Sequence, residues 1–418
     1  MVKSDTLLLI SDAVNKISLS DEEFSEIFVS RQYLHLFDDV ADFRQKAKIS
    51  YELKDILMMA FITILERGKQ SFTFISTYVS VNKRRFQKMG ILKGDAIPSH
   101  DTFRRIFSLL DSSSFQKATI DSLYDFLKQF EENKGLSLRG LDGKYVNSSG
   151  RSKECDHCIP NSDVINIYEL QSSTCICSIP VGEKTNEIPE AQKLLEQMDL
   201  KNCIITADAL HCQALTTSII RKNKGHYLIC AKDNQQLLVS DIMSRFSDKR
   251  NARKIIREEI KDEKDKLVSS IEILKLPSGF VYEDFKDIRS YVKLTSHKRK
   301  DTTCIRYFIT SLVKKEDILA SVLNRWSIEN DLHKFKDDFL HEDEFRCTDK
   351  KAIRNIVLMN NLIAQLTRIY MAFSGYDLYT AKIALQSNPY EELSKMMAIM
   401  SSKTLVEKIK DNINKKNG

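Results

Sequence analysis

The chain has 418 residues, of which 42% are hydrophobic and 29% are charged, a composition that excludes a disordered or fibrous protein and is typical of a globular one. This length exceeds one typical hydrophobic core and predicts two or three domains. The formal net charge of +6 favours a polyanionic partner without establishing one.

No segment of the sequence approaches the roughly 20 apolar residues that are needed to span a bilayer. Its first residues lack the basic start and the small-residue cleavage site of a signal peptide. We therefore expect a cytoplasmic protein with no membrane partner.

Nine cysteines, an odd number, indicate reduced thiols. Cys155, His157 and Cys158 precede Cys175 and Cys177, which resembles the ligand spacing of a zinc site. As part of a strand, Cys175 and Cys177 would direct both thiols to the same face. Incidental or buried thiols are the favoured interpretation, and zinc is the alternative.

The first third of the chain is predicted to be helical. Residues 1–32 form a helical extension, and apolar residues recur at helical spacing between Ile49 and Glu66. A further helix is predicted over residues 72–81. Residues 33–130 thus form a small helical domain.

A basic helix start lies within this domain. Ser99 or Asp101 can cap a helix whose first turns expose Arg104 and Arg105. Such a start suits a DNA-binding unit. A helical docking domain that never touches DNA fits equally well.

From residue 135 onwards, strands and helices alternate. Strands are predicted over residues 137–142, 163–170, 174–181, 203–206 and 227–231, and helices over residues 188–198 and 209–223. The second and third strands form a hairpin. This order predicts a mixed α/β sheet, in which functional groups collect at the carboxyl ends of the strands.

Residues 250–312 are predicted to be a β-rich insertion before the final helices, with strands over residues 267–276, 281–282, 290–295 and 304–309. Residues 376–418 form a C-terminal helical tail. Its Lys- and Asn-rich end, from about Leu405, is expected to fray.

Three separated carboxylates are candidate metal ligands. Asp142 precedes Gly143, which permits close backbone approach, and Asp208 follows a buried strand. Glu329 lies in a helical pattern. Mg²⁺ prefers oxygen ligands, and two metal ions can clamp the attacking and leaving oxygens in phosphoryl transfer. For Asp208, a helix N-cap is the structural alternative.

Arg325, Glu329 and Lys336 are spaced to lie on one helix face. Alone, this spacing indicates an ion-pair ladder; together with two distant aspartates it favours a functional site. Lys144 and Lys232 are further candidates to contact phosphate.

Seven ordered blocks resemble bacterial insertion-sequence transposases of the Asp-Asp-Glu type, specifically the H-repeat-associated family. They lie at residues 98–105, 142–144, 183–188, 206–213, 232–235, 328–333 and 342–346. The resemblance covers roughly residues 33–370.

The resemblance implies a ribonuclease-H-like catalytic domain over residues 135–375, preceded by a small all-helical N-terminal domain. It implies that Asp142, Asp208 and Glu329 bind two Mg²⁺ (or Mn²⁺) ions and that Arg325 and Lys336 hold DNA phosphates. Val322 stands where related proteins have Tyr, and Arg151 is the first arginine after residues 142–144, farther along than is usual.

The function implied is metal-dependent strand cleavage at insertion-sequence ends, followed by strand transfer into target DNA. The partners implied are double-stranded DNA, meaning terminal inverted repeats and target sites, and a second copy of the chain in a synaptic homodimer. The expected location is the bacterial cytoplasm, on the nucleoid. There are two alternatives. One is a catalytically decayed or domesticated transposase that acts as a DNA-binding protein, and the other is a nuclease that cuts DNA without joining it.

Overall fold

The computed structural model describes most of the chain, including the sheet, Asp142 and Asp208. The described residues are 5–17, 36–45, 49–131, 135–146, 162–181, 186–261, 267–297, 303–327, 334–345 and 347–417. Side chains at 144–146, 162–163, 180, 326–327, 334, 343 and 416–417 are outside the description.

Within the described residues, nine strands form one mixed sheet. They are β1 Ser137–Val146, β2 Ser162–Glu169, β3 Thr174–Pro180, β4 Cys203–Ala207, β5 His226–Ala231, β6 Ile255–Lys261, β7 Leu267–Lys275, β8 Ser290–His297 and β9 Thr303–Thr310. Their order across the sheet is β3-β2-β1-β4-β5-β9-β8-β7-β6. Strands β1, β2 and β3 pair antiparallel, whereas β4 pairs parallel to β1 and β5 parallel to β4.

The helices of the N-terminal part are α1 Thr6–Val14, α2 Leu53–Arg67, α3 Phe72–Val81, α4 Lys83–Lys88, α5 His100–Leu109, α6 Ser112–Gln116 and α7 Ser122–Lys128. The predicted helix over residues 72–81 is confirmed. So is the cap at Ser99, whose side chain accepts a hydrogen bond from the Thr102 N–H at 3.2 Å.

The later helices flank the sheet or follow it. They are α8 Glu187–Gln197, α9 Ala214–Lys222, α10 Gln236–Ser247, α11 Lys315–Ser327, α12 Lys334–Leu340, α13 Lys350–Ser374, α14 Leu378–Ser387, α15 Pro389–Ser401 and α16 Lys403–Asn417. The predicted helix over 209–223 is divided: a 3₁₀ turn covers Ala209–His211, and α9 begins at Ala214.

The β-rich region extends the same sheet, because β9 pairs antiparallel with β5. Three of its strands were predicted. The strand β6 was missed, and the predicted strand at 281–282 is only an isolated bridge between Tyr282 and Phe285.

Helices from both ends of the chain share one core with the edge of the sheet. That core includes Ile10 of α1, Phe61 of α2, Ile363 of α13, Ile409 of α16 and Tyr168 of β2. The prediction that the chain frays from Leu405 is wrong, because Leu405, Ile409 and Ile413 form a buried stripe at four-residue spacing on α16.

Helix α13 has the length and composition of a membrane span, and 89% of its most apolar 18-residue window is buried inside the protein. The expectation that no segment approaches this length is therefore wrong, although Asn355, Asn360, Asn361 and Gln365 interrupt the apolar run of α13. These amides are buried too, and Asn355 donates to the Phe107 carbonyl at 2.8 Å.

The prediction that Cys175 and Cys177 share a face is also wrong. Cys175 pairs with Tyr168 and Cys177 with the adjacent Ile167, so that Ile176 is an extra residue that forms a β-bulge. Cys175 therefore lies in the helical core and Cys177 on the opposite side of the sheet. Cys155, His157 and Cys158 lie outside the described residues.

Candidate active site at the ends of strands β1 and β4

Asp142 and Asp208 lie at the same level on neighbouring strands. In the parallel pairing of β1 with β4, Leu141 is opposite Ala207, and each aspartate is the next residue along its strand. Adjacent strands are about 4.8 Å apart. The structure thus brings two predicted ligands, 66 positions apart in sequence, to adjacent positions.

Both aspartates are on the face of the sheet that α11 covers. Side chains alternate along a strand, so Asp142 shares a face with Leu138, and Asp208 shares a face with Ile204. Leu138 and Ile204 pack in one cluster with Ile318 and Val322 of α11. Gly143, in contrast, is on the opposite face.

Asp208 has a structural role as well as a place in the site. Strand β4 is fully buried, and Asp208 is exposed directly after it. One carboxylate oxygen of Asp208 accepts a hydrogen bond from the Leu210 N–H at 3.0 Å and so caps the 3₁₀ turn. The N-cap alternative is therefore correct. Asp208 also lines a cleft, which the cap does not prevent.

This cleft, which we call the cation cleft, has a volume of about 140 Å³. Its lining combines one carboxylate with three cationic side chains and consists of Asp208, Ala209, Cys230, Lys232, Arg306, Phe308 and Arg325. Lys232 and Arg325 were predicted from the sequence. Positive groups beside a carboxylate are suited to hold a phosphate near a bound metal ion.

Arg325 reaches the cation cleft from α11. It follows Val322 by three residues and so projects from the same side of the helix. Its guanidinium lies 5.5 Å from the centre of the Phe308 ring. Burial raises the pKa of the Cys230 thiol, and the nearby Arg325 charge opposes that rise.

Sequence reasoning missed Arg306. Ala231 is opposite Tyr307 in the β5–β9 pairing, which places Lys232 and Arg306 at the next level outward. A charged residue within the apolar strand at 304–309 was a signal in the sequence. Its proximity to Asp208 depends on β9 joining β5, which the sequence does not reveal.

Lys336 is inside the protein. Its side chain is 0% exposed, and its ammonium donates to the Tyr168 hydroxyl at 3.2 Å and to the Asn361 side-chain oxygen. Burial is the main cause that raises the pKa of Tyr168, and the charge of Asp142 contributes to that rise. In this conformation Lys336 is buried against Tyr168 of β2 and has no exposed surface with which to contact a DNA phosphate.

Other predicted site residues lie partly or wholly outside the description. Glu329 is in the undescribed residues 328–333, and only the backbone of Lys144 is described, opposite Val164. Within the described ranges, no group of three or more His, Cys, Asp or Glu side chains could hold a metal ion.

Arg104 and Arg105 are exposed on α5, as predicted. Arg104 pairs with Asp101 at 3.2 Å in an exposed i, i+3 ion pair. Such a pair contributes little to stability, so Arg104 can exchange this partner for another anion.

Comparison with known families decides the class of protein. Residues 142–366, more than half of the chain, match the family model described as "Transposase DDE domain". Residues 34–122 match the model described as "DDE_Tnp_1-associated". The chain belongs to the DDE transposase family. In this transposase the matched range begins at Asp142 and contains Asp208, Arg306 and Arg325.

Similar proteins carry transposase names. The transposase is 26% identical to "H repeat-associated putative transposase YhhI" of Escherichia coli (strain K12), over 73% of this chain and 82% of that protein. It is 24% identical to "Putative transposase YncI" of Escherichia coli O157:H7, over 85% of this chain and 92% of that protein. The resemblance to H-repeat-associated transposases is thereby confirmed.

Among solved structures, the transposase aligns with a piggyBac transposase synaptic complex with hairpin DNA. The TM-score is 0.41 at 12% identity, over 98% of this chain and 84% of that chain. A score this low does not establish a common fold.

Proposed function

We propose that this DNA transposase uses Asp142, Asp208 and Glu329 to cleave DNA at the ends of an insertion sequence and to join those ends to target DNA. The observation that carries the proposal is the common level of Asp142 and Asp208 on β1 and β4, beside the cation cleft. Two carboxylates on adjacent strands fit a shared divalent cation.

We assign strands β1 to β5 to a ribonuclease-H-like catalytic domain over residues 135–375. An antiparallel β1-β2-β3 meander followed by two strands parallel to β1 supports this assignment. Such an order brings the ends of β1 and β4 together. Strands β6 to β9 would then be the insertion between the second and third carboxylates.

Glu329 is proposed as the third carboxylate because of the residues that flank it. Arg325 lies beside Asp208 and Phe308, and Lys336 contacts Tyr168 of β2. In the sheet order, β1 and β4 lie between β2 and the β5–β9 pair. The segment from 325 to 336 therefore begins and ends on either side of the two aspartates.

Two bound Mg²⁺ (or Mn²⁺) ions would supply activation of water and stabilisation of charge on the attacking and leaving oxygens. Arg325, Lys232 and Arg306 would hold the phosphates of the cleaved strand. Lys144 is a further candidate to contact these phosphates. Lys336 is another, if α12 moves so that its side chain becomes exposed. Arg104 and Arg105 would contact DNA from the helical domain at residues 33–130.

Synapsis of two DNA ends would require two copies of the chain, which predicts a homodimer bound to terminal inverted repeats and target DNA. The place of action would be the bacterial nucleoid.

The test is Mg²⁺-dependent cleavage and joining of DNA that carries the ends flanking the gene. The parent chain should produce cut and joined products, and Glu329→Gln should produce neither while binding the ends normally. Asp284→Asn is the matched control, since Asp284 is exposed and is not among the residues that line the cation cleft. It should behave like the parent.

Binding of the ends without cleavage by the parent would contradict the proposal and favour a decayed, DNA-binding transposase. Cutting without joined products would favour a simple nuclease. Full cleavage by the Glu329→Gln protein would contradict the assignment of Glu329 as the third carboxylate.

A further inference from the structure

Behind the two aspartates, on the opposite face of the sheet, Glu187 and His211 form a largely buried hydrogen-bonded pair. The His211 Nε2 lies 2.9 Å from a Glu187 carboxylate oxygen. The His211 side chain is 1% exposed and that of Glu187 24%. A buried polar pair of this kind is costly unless its geometry is well satisfied, so its position calls for an explanation.

On one side the pair supports the backbone of β1 beside Asp142. A Cβ atom added to Gly143 would overlap the Glu187 carboxylate. The carboxylate therefore packs directly on the backbone of Gly143, which is adjacent to Asp142, and only glycine leaves room for it. Helix α8 begins at Glu187, so the contact fixes the start of α8 against β1.

On the other side the pair holds the turn that follows β4. His211 is the last residue of the 3₁₀ turn that Asp208 caps. The same turn receives hydrogen bonds from the Asn234 amide to the Ala209 carbonyl at 2.6 Å and from the Gln235 amide to the Cys212 carbonyl at 2.9 Å. The turn is thus anchored to the end of β5, and His211 is its link to α8.

We propose that Glu187 and His211 are positioning residues that connect the backbone segments carrying Asp142 and Asp208 and so fix the separation of the two carboxylates. This inference rests on the proposed metal-dependent function. Partners behind metal ligands commonly change metal affinity by about 10- to 100-fold when removed. Because Glu187 and His211 lie across the sheet from the carboxylates, they would act through the backbone.

The experiment measures Mn²⁺ binding to the purified full-length chain by electron paramagnetic resonance, with thermal unfolding alongside. Glu187→Ala should weaken Mn²⁺ binding by about 10-fold or more. Glu187→Gln should bind close to the parent, because its amide oxygen still accepts from His211. Glu196→Ala is the control: Glu196 is exposed on the same helix and should bind like the parent.

A second variant tests the pair without removing it. Gly143→Ala should displace the Glu187 side chain and weaken Mn²⁺ binding in the parent, yet cause no further loss in the Glu187→Ala background. This non-additivity separates positioning from a general loss of stability, which would add.

Mn²⁺ binding by Glu187→Ala equal to that of the parent would overturn the positioning role and leave the proposed function intact. Additive losses in the double variant would overturn it as well. Absence of Mn²⁺ binding by the parent would instead contradict the proposed function, and it would also contradict the positioning role, which depends on that function.

Discussion

Asp208 shows how one side chain can combine a structural role with a place in a candidate site. A carboxylate has two oxygens that can accept about four hydrogen bonds, and the cap to the Leu210 N–H occupies one of these positions. The remaining oxygen is available toward the cation cleft. The sequence predicted that the N-cap and the ligand role can coexist only if the side chain points to the site, and Asp208 does line the cation cleft.

Replacement of Asp208 by Asn should separate the two roles. Asparagine caps as well as aspartate does, so the melting temperature of Asp208→Asn should stay within a few degrees of that of the parent. Loss of the charge should abolish Mg²⁺-dependent strand cleavage while binding to the DNA ends remains. Thermal unfolding, end binding and cleavage measured on one preparation decide the matter. Loss of binding together with cleavage would contradict the assignment.

Arg325 and Lys336 show the limit of spacing arguments at this scale. Both were predicted on one helix face with Glu329, yet Arg325 lines the cation cleft and Lys336 is buried against Tyr168 and Asn361. Arg325 belongs to α11 and Lys336 to α12, so their spacing along the chain did not place them on one helix face. A buried ammonium group needs hydrogen-bond partners, and these come from residues distant in sequence.

At the scale of elements, the junction of β5 with β9 decides the shape of the cation cleft. The Tyr227 N–H donates to the Ser311 hydroxyl at 3.1 Å, and the Thr310 hydroxyl donates to the Tyr227 carbonyl at 2.5 Å. His226 also contacts the Ser311 hydroxyl, at 3.1 Å. These bonds join β9 to β5, and this pairing places Arg306 beside Lys232.

The same junction predicts a pH dependence of stability. Burial, followed by the charge of Arg221, lowers the pKa of His226 below its usual value of 6.5. The unfolded chain therefore takes up a proton first as pH falls. The stability contributed by neutral His226 is complete above about pH 6.5 and declines as pH falls toward the lowered pKa.

Replacement of His226 by Asn should remove this part of the pH dependence. Between about pH 7.5 and 5.5, the urea midpoint of the parent should fall more than that of His226→Asn. His297→Asn is the control, because His297 is exposed; its midpoint should track that of the parent. Equal pH slopes for all three proteins would contradict the prediction.

At the scale of the whole molecule, the two ends of the chain meet in one core. Helices α1 and α16 pack together, and the Asn412 amide donates to the Ala13 carbonyl at 3.2 Å. Helix α13 lies between the N-terminal helices and β3. The division into domains at residues 1–32, 33–130, 135–375 and 376–418 stays a prediction. Helix α16 packs into a core to which residues from several of these ranges contribute.

Truncation of Ile409, which is fully buried on α16, should therefore destabilise the protein. Ile409→Ala should lower the free energy of unfolding by about 2–5 kcal/mol, because a buried methyl-rich side chain leaves a cavity. Glu407→Ala, at an exposed position two residues earlier, should change it little. Equal stability of the two variants in urea titrations would indicate that this end is frayed after all.

The sequence by itself determined most of the local elements and indicated the two aspartates of the proposed site. Alternating and helical patterns over five to fifteen residues predicted β1 to β5, α3 and the cap at Ser99, because these depend on neighbours in the chain. The tertiary structure alone decided that β9 extends the sheet from β5, that Arg306 joins the cation cleft, that Lys336 and α16 are buried, and that Glu187 and His211 meet behind Asp142. Each of these depends on pairing between distant segments, and local periodicity carries no record of strand order or of which helix covers which face.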